Sequence, residues 1–351
     1  MKKRILAIFM AATMAVGLLI GCSSSDSPSE TSASKEEATD ESDAQGISVE
    51  WIGKAVSNPW FMKVEAYASR EAKTLGVNFN SNFVNEQVDI EQQIAKIESA
   101  VANNADAICI SVCDSEGAIP ALKKAKDAGI KIINFDTRVS DKSVIDAFVG
   151  TDDVLGGYMA GEYICKKLNG KGKVAVVNGT FTQSTGVDRY EGFKQACLDY
   201  PDIEIVADPE ADFDADKAAS ATSNILAANP DVDAIFATAD MMAVSMANVV
   251  KSSGINSDDI ILVGFDGTQD SCNLLLAGDL DAIVALPEVD EAVMPVRVAN
   301  ILSNNEEFMF DREIIYEPQL VTLGEEEDTD YTVYEFLAER FPLYGVTDTG
   351  Y

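Results

Sequence analysis

Histidine is absent from this 351-residue chain, which removes the commonest general base and a leading metal ligand. Basic residues are scarce as well: 26 Lys and Arg stand against 59 Asp and Glu, a formal net charge of −33. A surface this anionic repels phosphate backbones and acidic lipid head groups alike, which argues against a nucleic-acid partner. There is no Gly-x-Ser-x-Gly elbow and no Gly-rich loop ahead of a Lys-Ser or Lys-Thr pair. Acyl-transfer and nucleotide-phosphate chemistry therefore lack their usual frames, and neither an enzyme nor a cofactor is expected.

Cysteine is sparse. Setting Cys22 aside leaves Cys109, Cys113, Cys165, Cys197 and Cys272, an odd number without the dense spacing of a disulfide scaffold, so at least one thiol stays free. Cys109 sits in an apolar run and Cys165 and Cys197 fall on helical patterns, where cysteine serves as a small core residue. Cys109 and Cys113 have no second ligand pair, so no metal is expected there. Asp212, Asp214 and Asp216 alternate like the start of a calcium loop, but such a loop needs Gly at its sixth position and Glu at its twelfth. Lys217 and Ser223 stand there instead.

Long apolar runs are also rare; the N-terminal one follows Met1-Lys2-Lys3-Arg4, spans residues 5–20 and ends at Leu19-Ile20-Gly21-Cys22. A basic head, a short apolar segment and small or apolar residues before a cysteine predict a lipoprotein signal peptide over 1–21, with Cys22 lipidated. The alternative, a single transmembrane anchor, meets a run shorter than the roughly 20 residues a bilayer core needs. Residues 22–46, rich in Ser, Thr, Asp, Glu and Ala without apolar periodicity, read as a disordered tether between lipid and body. The expected location is extracytoplasmic, lipid-anchored to the cell membrane.

What is present from residue 47 onward is an alternation of short apolar runs with helical periodicity, the pattern of parallel sheets with crossover helices. Strands are expected over 47–53, 77–83, 107–112 and 130–135, with helices over 61–75, around Ile90, Ile94, Ile97 and Val101, and over 118–128. A second series follows, with strands over 173–178, 203–206, 234–237 and 260–265 and helices over 189–199, 217–228 and through Met246. Asn103 to Ile108 has a counterpart in Asn229 to Ile235, each joining a helix end to a strand. This similarity predicts an α/β protein of two similar, doubly wound parallel-sheet lobes with a ligand cleft between them. Late elements, a strand over 282–286, a helix over 289–302 and an extended 314–323, imply several crossings and thus a multi-strand hinge. The expected division is 47–150 plus 286–309 for one lobe and 151–285 plus 310–323 for the other. An acidic extension over 324–351 either packs on a lobe or projects as a helix.

The loops after these strands hold the candidate site. They carry Asn58-Pro59-Trp60-Phe61, Asp136-Thr137-Arg138, Arg189 in Arg189-Tyr190-Glu191-Gly192-Phe193, Phe213 in Ala211-Asp212-Phe213-Asp214, and Phe265-Asp266-Gly267-Thr268. Aromatic faces with carboxylates, a guanidinium and an amide suit a polyhydroxylated ring: C–H groups pack on π faces while hydroxyls donate to Asp and accept from Arg or Asn. Core packing is the ordinary use of such aromatics, and Asp136 and Asp266 are equally placed to cap helices; their occurrence at strand ends in both lobes favours ligand contact. Arg189 is expected at a helix start, where a cation opposes the helix dipole, and that placement argues for a purpose.

Those motifs, with Thr151-Asp152-Asp153-Val154-Leu155-Gly156-Gly157 and Val263-Gly264, resemble the type I periplasmic-binding fold of sugar-binding lipoproteins serving ABC importers, nearest the ribose-binding branch, over about residues 47–323. The resemblance implies ligand contacts at Asn58, Trp60, Phe61, Asp136, Arg189, Phe213, Phe265 and Asp266, to which Arg138 is added as a candidate. It implies hinge crossings near Thr151-Asp152 and Leu286-Pro287. It further implies a monomeric receptor that hands a small carbohydrate-like ligand to an ABC permease, or alternatively presents its closed form to a chemoreceptor or sensor kinase. Departures from the ribose pattern are Ala239 in place of asparagine, Ala285 in place of glutamine, Ser111 in place of asparagine, and Lys54 in place of serine. They imply a ligand other than ribose, with Gln183, Thr238 and Asp240 as replacement partners, or a charged ligand reached by Lys54 or Arg138.

Overall fold

A computed structural model describes residues 46–256, 259–306, 311–324, 329–333 and 335–336. The expected signal peptide, the lipidated Cys22 and the tether up to residue 45 lie outside these residues. No described helix is long and apolar enough to cross a membrane.

The chain opens with β1 (Ser48–Ala55), α1 (Pro59–Leu75), β2 (Asn78–Val84), α2 (Ile90–Ala102), β3 (Ala107–Ile110), α3 (Ile119–Asp127), β4 (Lys131–Phe135) and β5 (Ala147–Thr151). It continues with α4 (Asp153–Lys167), β6 (Lys171–Val177), α5 (Ser184–Leu198), β7 (Asp202–Ala207), α6 (Ala215–Ala228), β8 (Ala234–Ala237), α7 (Asp240–Ser252), β9 (Ile261–Asp266), α8 (Gln269–Ala277) and β10 (Ala282–Ala285). The last elements are α9 (Glu288–Ser303), β11 (Glu313–Tyr316), β12 (Gln319–Thr322) and β13 (Tyr331–Thr332).

Local chemistry sets these boundaries. Asn58 caps α1 by accepting from the Trp60 N–H at 3.0 Å, Pro59 follows at the first helical position, and Gly76 ends the helix at φ 69°, where a residue without Cβ carries no steric penalty. Asp214 caps α6 through the Lys217 N–H, and Asp212 pairs with the Lys217 ammonium at 2.7 Å. The alternating aspartates therefore serve a helix start, and no cluster of three metal-ligating side chains occurs among the described residues.

Two sheets result. One runs β11-β5-β4-β3-β1-β2 and the other β13-β12-β10-β9-β8-β6-β7. Every described pairing is parallel except β10 with β12. Ignoring the late strands, β2-β1-β3-β4-β5 and β7-β6-β8-β9-β10 have the same doubly wound order, so the sequence similarity is structural repetition. Its signature is chemical too. Asp106 accepts from the Ser48 N–H and Asp233 from the Lys173 N–H, each at 2.7 Å at the start of the equivalent strand. Asp146 and Asp281 repeat the arrangement on Ile132 and Leu262 at 2.9 and 2.8 Å.

The chain crosses between lobes after β5, after β10 and between β11 and β12. Here the expected division needs correction. Residues 310–323 do not all belong to the second lobe, because Glu313–Tyr316 pairs with β5 in the first sheet and only Gln319–Thr322 joins the second, antiparallel to β10. The run over 314–323 reads as one extended segment, and only Pro318, which lacks an N–H, marks the break where it changes sheet. The described part of the extension packs on the second lobe, with β13 beside β12 and Val333 and Phe336 in its core.

β5, α4 and α8 escaped the sequence reading. β5 is a short, fully buried run, and α4 carries Gly156, Gly157 and Gly161, residues that weaken a helix taken by itself. They are there because α4 lies directly on α5. A Cβ on Gly157 would sit 1.9 Å from the Arg189 carbonyl oxygen, and one on Gly192 2.0 Å from that of Val154.

Candidate functional site

In an open α/β sheet the ligand crevice lies outside the carboxyl ends of the strands, and here those ends face each other. Lys54 and Asn58 come from the end of β1 and its loop, Trp60 and Phe61 from the first turn of α1, Gln87 from the loop after β2, and Asp136 from the end of β4. The second lobe contributes Thr185 and Arg189 from α5, Phe213 from the loop before α6, Ala239 after β8 and Asp266 at the end of β9. Together they line one cavity, whose roughly 290 Å³ of empty space includes its opening to solvent. Trp60 and Phe61 meet edge to face with ring centroids 4.9 Å apart, the geometry aromatic quadrupoles prefer.

Of the expected residues, Asn58, Trp60, Phe61, Asp136, Arg189, Phe213 and Asp266 are brought together. Arg138 is not. Its guanidinium lies 4.1 Å over the Phe148 ring and pairs with Glu313 of β11 at 3.3 Å, so the arginine following Asp136-Thr137 is committed to the first sheet. Phe265 is fully buried beneath the site, and the Arg189 guanidinium stacks 4.0 Å above its ring. It supports the cation and does not line the cavity. Gln87 and Thr185 were missed, since nothing in their sequence context separates them from ordinary loop and helix polar residues. Of the replacement partners, Thr238 offers its carbonyl to Arg189, and Asp240 lies behind Asp266.

Three cavity residues have positive φ without being glycine: Asp136 at 55°, Phe213 at 52° and Asp266 at 107°. Such backbone costs free energy, and for a bulky residue like phenylalanine it is a true outlier. The surrounding structure holds them there, which is a mark of a functional site.

The electrostatics are built from two cations and several carboxylates. Arg189 lies within α5, five residues from its start rather than at the helix terminus, and donates through Nε to Asp153 at 2.8 Å and through one terminal nitrogen to the Thr238 carbonyl at 2.8 Å and Asp266 at 3.2 Å. Burial opposes its charge, but Asp153, Asp266 and Asp136 outweigh that and raise its pKa further. Burial dominates at Asp153 and Asp240 and pushes each carboxyl up to about 6; it also raises Asp266, against the pull of Arg189. Asp136 behaves oppositely. Its burial is outweighed by Lys54 and Arg189 and by hydroxyl donors from Ser111 and Thr137, so its carboxyl is held below the usual range.

Lys54 is the unexpected centre. Only 3% exposed, it reaches from β1 across the cleft, donating to Thr137 and, at 2.7 Å, to Gln183 of the opposite lobe. Its ammonium lies 3.3 Å from Asp136 and faces the rings of Phe61 and Phe213 at 5.4 and 5.8 Å. Gln183 returns its amide N–H groups to the carbonyls of Gln87 and Cys113 at 2.8 and 2.9 Å. Further bonds across the same rim run from the Arg138 N–H to the Ser184 hydroxyl and from the Ser115 N–H to the Thr182 carbonyl. Cys113 itself is buried, and that burial pushes its thiol up to about 12. Cys109, Cys113, Cys165 and Cys197 are free thiols.

Comparison with known proteins agrees with this geometry. The periplasmic binding protein domain family matches residues 49–307. The ribose import binding protein RbsB of Escherichia coli K12 is 32% identical over 238 residues, covering 68% of this chain and 78% of its own. RbsB of Bacillus subtilis 168 is 31% identical over 237 residues, covering 67% and 75%. Among solved structures, an ABC transporter solute binding protein of Bacillus halodurans C-125 with bound myo-inositol superposes with a TM-score of 0.75 at 26% identity, covering 84% of this chain and 99% of its own. One from Burkholderia graminis C4D1M in complex with D-arabinose gives 0.76 at 25% identity, covering 83% and 99%. With two repeated lobes, a polar and aromatic cleft at their strand ends and this extent of likeness, the chain belongs to the periplasmic binding protein family, in its type I, ribose-like sugar-binding branch.

Proposed function

We propose that this protein is an extracytoplasmic, lipid-anchored solute receptor that captures a small carbohydrate or polyol between its lobes and delivers it to an ABC importer, without chemistry of its own. One observation carries the reading: a single cavity takes aromatic faces, an amide, a guanidinium and carboxylates from both lobes. A ligand bridging the lobes stabilises the closed form by its differential affinity for closed over open, which is all that a hinge can respond to. The relatives that are ribose import binding proteins, and the neighbours holding D-arabinose and myo-inositol, support the ligand class. The departures at Lys54, Ser111, Ala239 and Ala285 argue for a ligand other than ribose. The basic and apolar head ending at Cys22 supports the anchor.

The test is a thermal-shift screen of the purified protein against pentoses, hexoses, cyclitols, polyols, nucleosides and amino acids. A ligand at 100 times its Kd adds about 2.7 kcal/mol of stability. A clear rise with one carbohydrate or cyclitol is expected; a rise confined to nucleosides or amino acids overturns the ligand class. Metabolic labelling with a palmitate analogue, expected to be lost in Cys22→Ala, tests the anchor.

A further inference from the structure

The seam between α4 and α5 carries a chemistry that the cavity does not use. Contacts along it recur every four residues, so they lie on one face of each helix. A Cβ on Gly157 would meet the Arg189 carbonyl oxygen at 1.9 Å, and one on Gly161 the Phe193 carbonyl oxygen at 2.9 Å. One step further along, Cys165 meets Cys197, with the two Sγ atoms 3.9 Å apart. The offset between partners stays at 32 residues. The helices therefore run side by side in the same direction, and glycine keeps their backbones close ahead of the cysteines.

That approach suits a disulfide, which needs Cα atoms within about 7 Å and sulfurs about 2 Å apart. Rotation about the two Cα–Cβ bonds brings the sulfurs together while the backbones stay. Cys165 is fully buried and Cys197 is 8% exposed. Cys197 sits in the last turn of α5 beside Leu198, which is 80% exposed, and helix ends open locally at little cost. Cys165 donates its S–H to the Cys197 sulfur, which holds the Cys197 thiol below its ordinary range against the effect of burial. Cys197 is thus the attacking thiolate. Cys109 and Cys113 differ: burial raises both thiols, and Cys109 donates to the Pro295 carbonyl at 3.6 Å.

We propose that Cys165 and Cys197 are a dithiol switch that closes, by exchange with a disulfide oxidant, to a reversible disulfide stapling α4 to α5. Cys197 Sγ attacks one sulfur of the oxidant, forming a mixed disulfide and releasing one thiol. The Cys165 sulfur, its proton lost, then attacks Cys197 Sγ and displaces the second. The two protein thiols together give up two electrons, and the oxidant leaves as two thiols carrying the two protons. The extracytoplasmic location proposed above is one where such oxidants prevail. Because α4 supplies Asp153 and α5 supplies Arg189, paired at 2.8 Å, the staple fastens the two elements that hold a cavity cation. From Asp153 to Cys165 α4 runs about 18 Å, so the bond forms well away from the cavity.

Peptide mapping of the purified full chain tests this, with oxidised glutathione as the probe and dithiothreitol as the control. Free thiols are alkylated with iodoacetamide in urea before digestion and mass spectrometry. The oxidised sample is expected to yield a peptide pair joined through Cys165 and Cys197, and to melt about 5 °C above the reduced one. Dithiothreitol reverses both. In Cys165→Ala and in Cys197→Ala the difference between oxidised and reduced melting temperatures disappears, whatever the stability of the variants themselves. Absence of the joined peptides from wild type, glutathione retained on Cys197, a joined form that melts with the reduced protein, or a difference that persists in the variants overturns the inference. These outcomes leave the solute-receptor reading untouched, since ligand takes no part in them.

Discussion

The two lobes share one strand order and repeated aspartate anchors, yet they hold their cavity cations in opposite ways. Arg189 is fixed wholly within the second lobe: Asp153 of α4, Asp266 of β9, the Thr238 carbonyl and the Phe265 ring all belong to it. The α4–α5 seam, closed by Gly157 and Gly192, sets its backbone. Lys54 has Asp136 and Thr137 in its own lobe but takes Gln183 and the Phe213 ring from the other. One cation is therefore part of a lobe, and the other belongs to the joined state of both. An identical framework fixes where strand ends meet; it does not fix which side chain spans the gap.

Substitutions in the two lobes should separate these uses. The largest effect is expected from Arg189→Ala, which strands Asp153 and Asp266 in a buried site; loss of one partner of a buried pair costs about 3 to 5 kcal/mol, readable by urea denaturation, together with loss of ligand binding. A stability change below about 1 kcal/mol would show that the second-lobe cation is no more fixed than the first. Next is Gly157→Ala, whose Cβ would lie 1.9 Å from the Arg189 carbonyl oxygen. Overpacking of this kind costs about 1 to 3 kcal/mol, and the melting temperature should fall without any direct contact to ligand being altered.

Acidity gives the third test. Burial lifts Asp153 and Asp240 to about 6, above an unfolded carboxyl near 4. The folded protein thus binds more protons than the unfolded chain between about pH 4 and 6, and stability rises as pH falls through that window. Asp136, held low, contributes stability that is lost only as pH falls through its own folded pKa, below the unfolded value. Melting temperature should therefore be higher at pH 5 than at pH 7.5, with the difference reduced in Asp240→Asn; a flat profile in wild type would count against the burial account.

The smallest effect on stability should come from Lys54→Met, about 1 kcal/mol, because Asp136 and Gln183 recover water when the lobes part. Its signature is conformational: small-angle scattering of the ligand-free variant should show a larger radius of gyration than wild type. Equal scattering profiles would mean that Lys54 does not bias closure.

Much of this was legible in the chain. The apolar alternation gave the two series of strands and helices, and Asn103 to Ile108 against Asn229 to Ile235 announced the repeat, whose Asp106 and Asp233 proved to tie equivalent strands. Asn58, Asp136 and Asp266 were legible because a polar residue at a strand end has a restricted set of uses. Arg138 misled because adjacency to Asp136 suggests a shared cavity, whereas the turn sends its side chain to Glu313. Gln87 left no trace, since an exposed loop glutamine and a buried donor look alike in sequence. The glycines of α4 lower its own helical preference, and their benefit lies in contact with another helix.

By itself, the sequence determined most of the elements, their pairing into two doubly wound lobes, and the chemical inventory at the strand ends, because periodicity, caps and turn residues act over a few neighbours. The tertiary structure alone decided that β11 and β12 part to different sheets, that Lys54 spans the cleft to Gln183, and that Trp60 and Gln87 keep unmet donors. Each of those depends on which groups remain unsatisfied once distant segments pack, and that is a property of the folded whole.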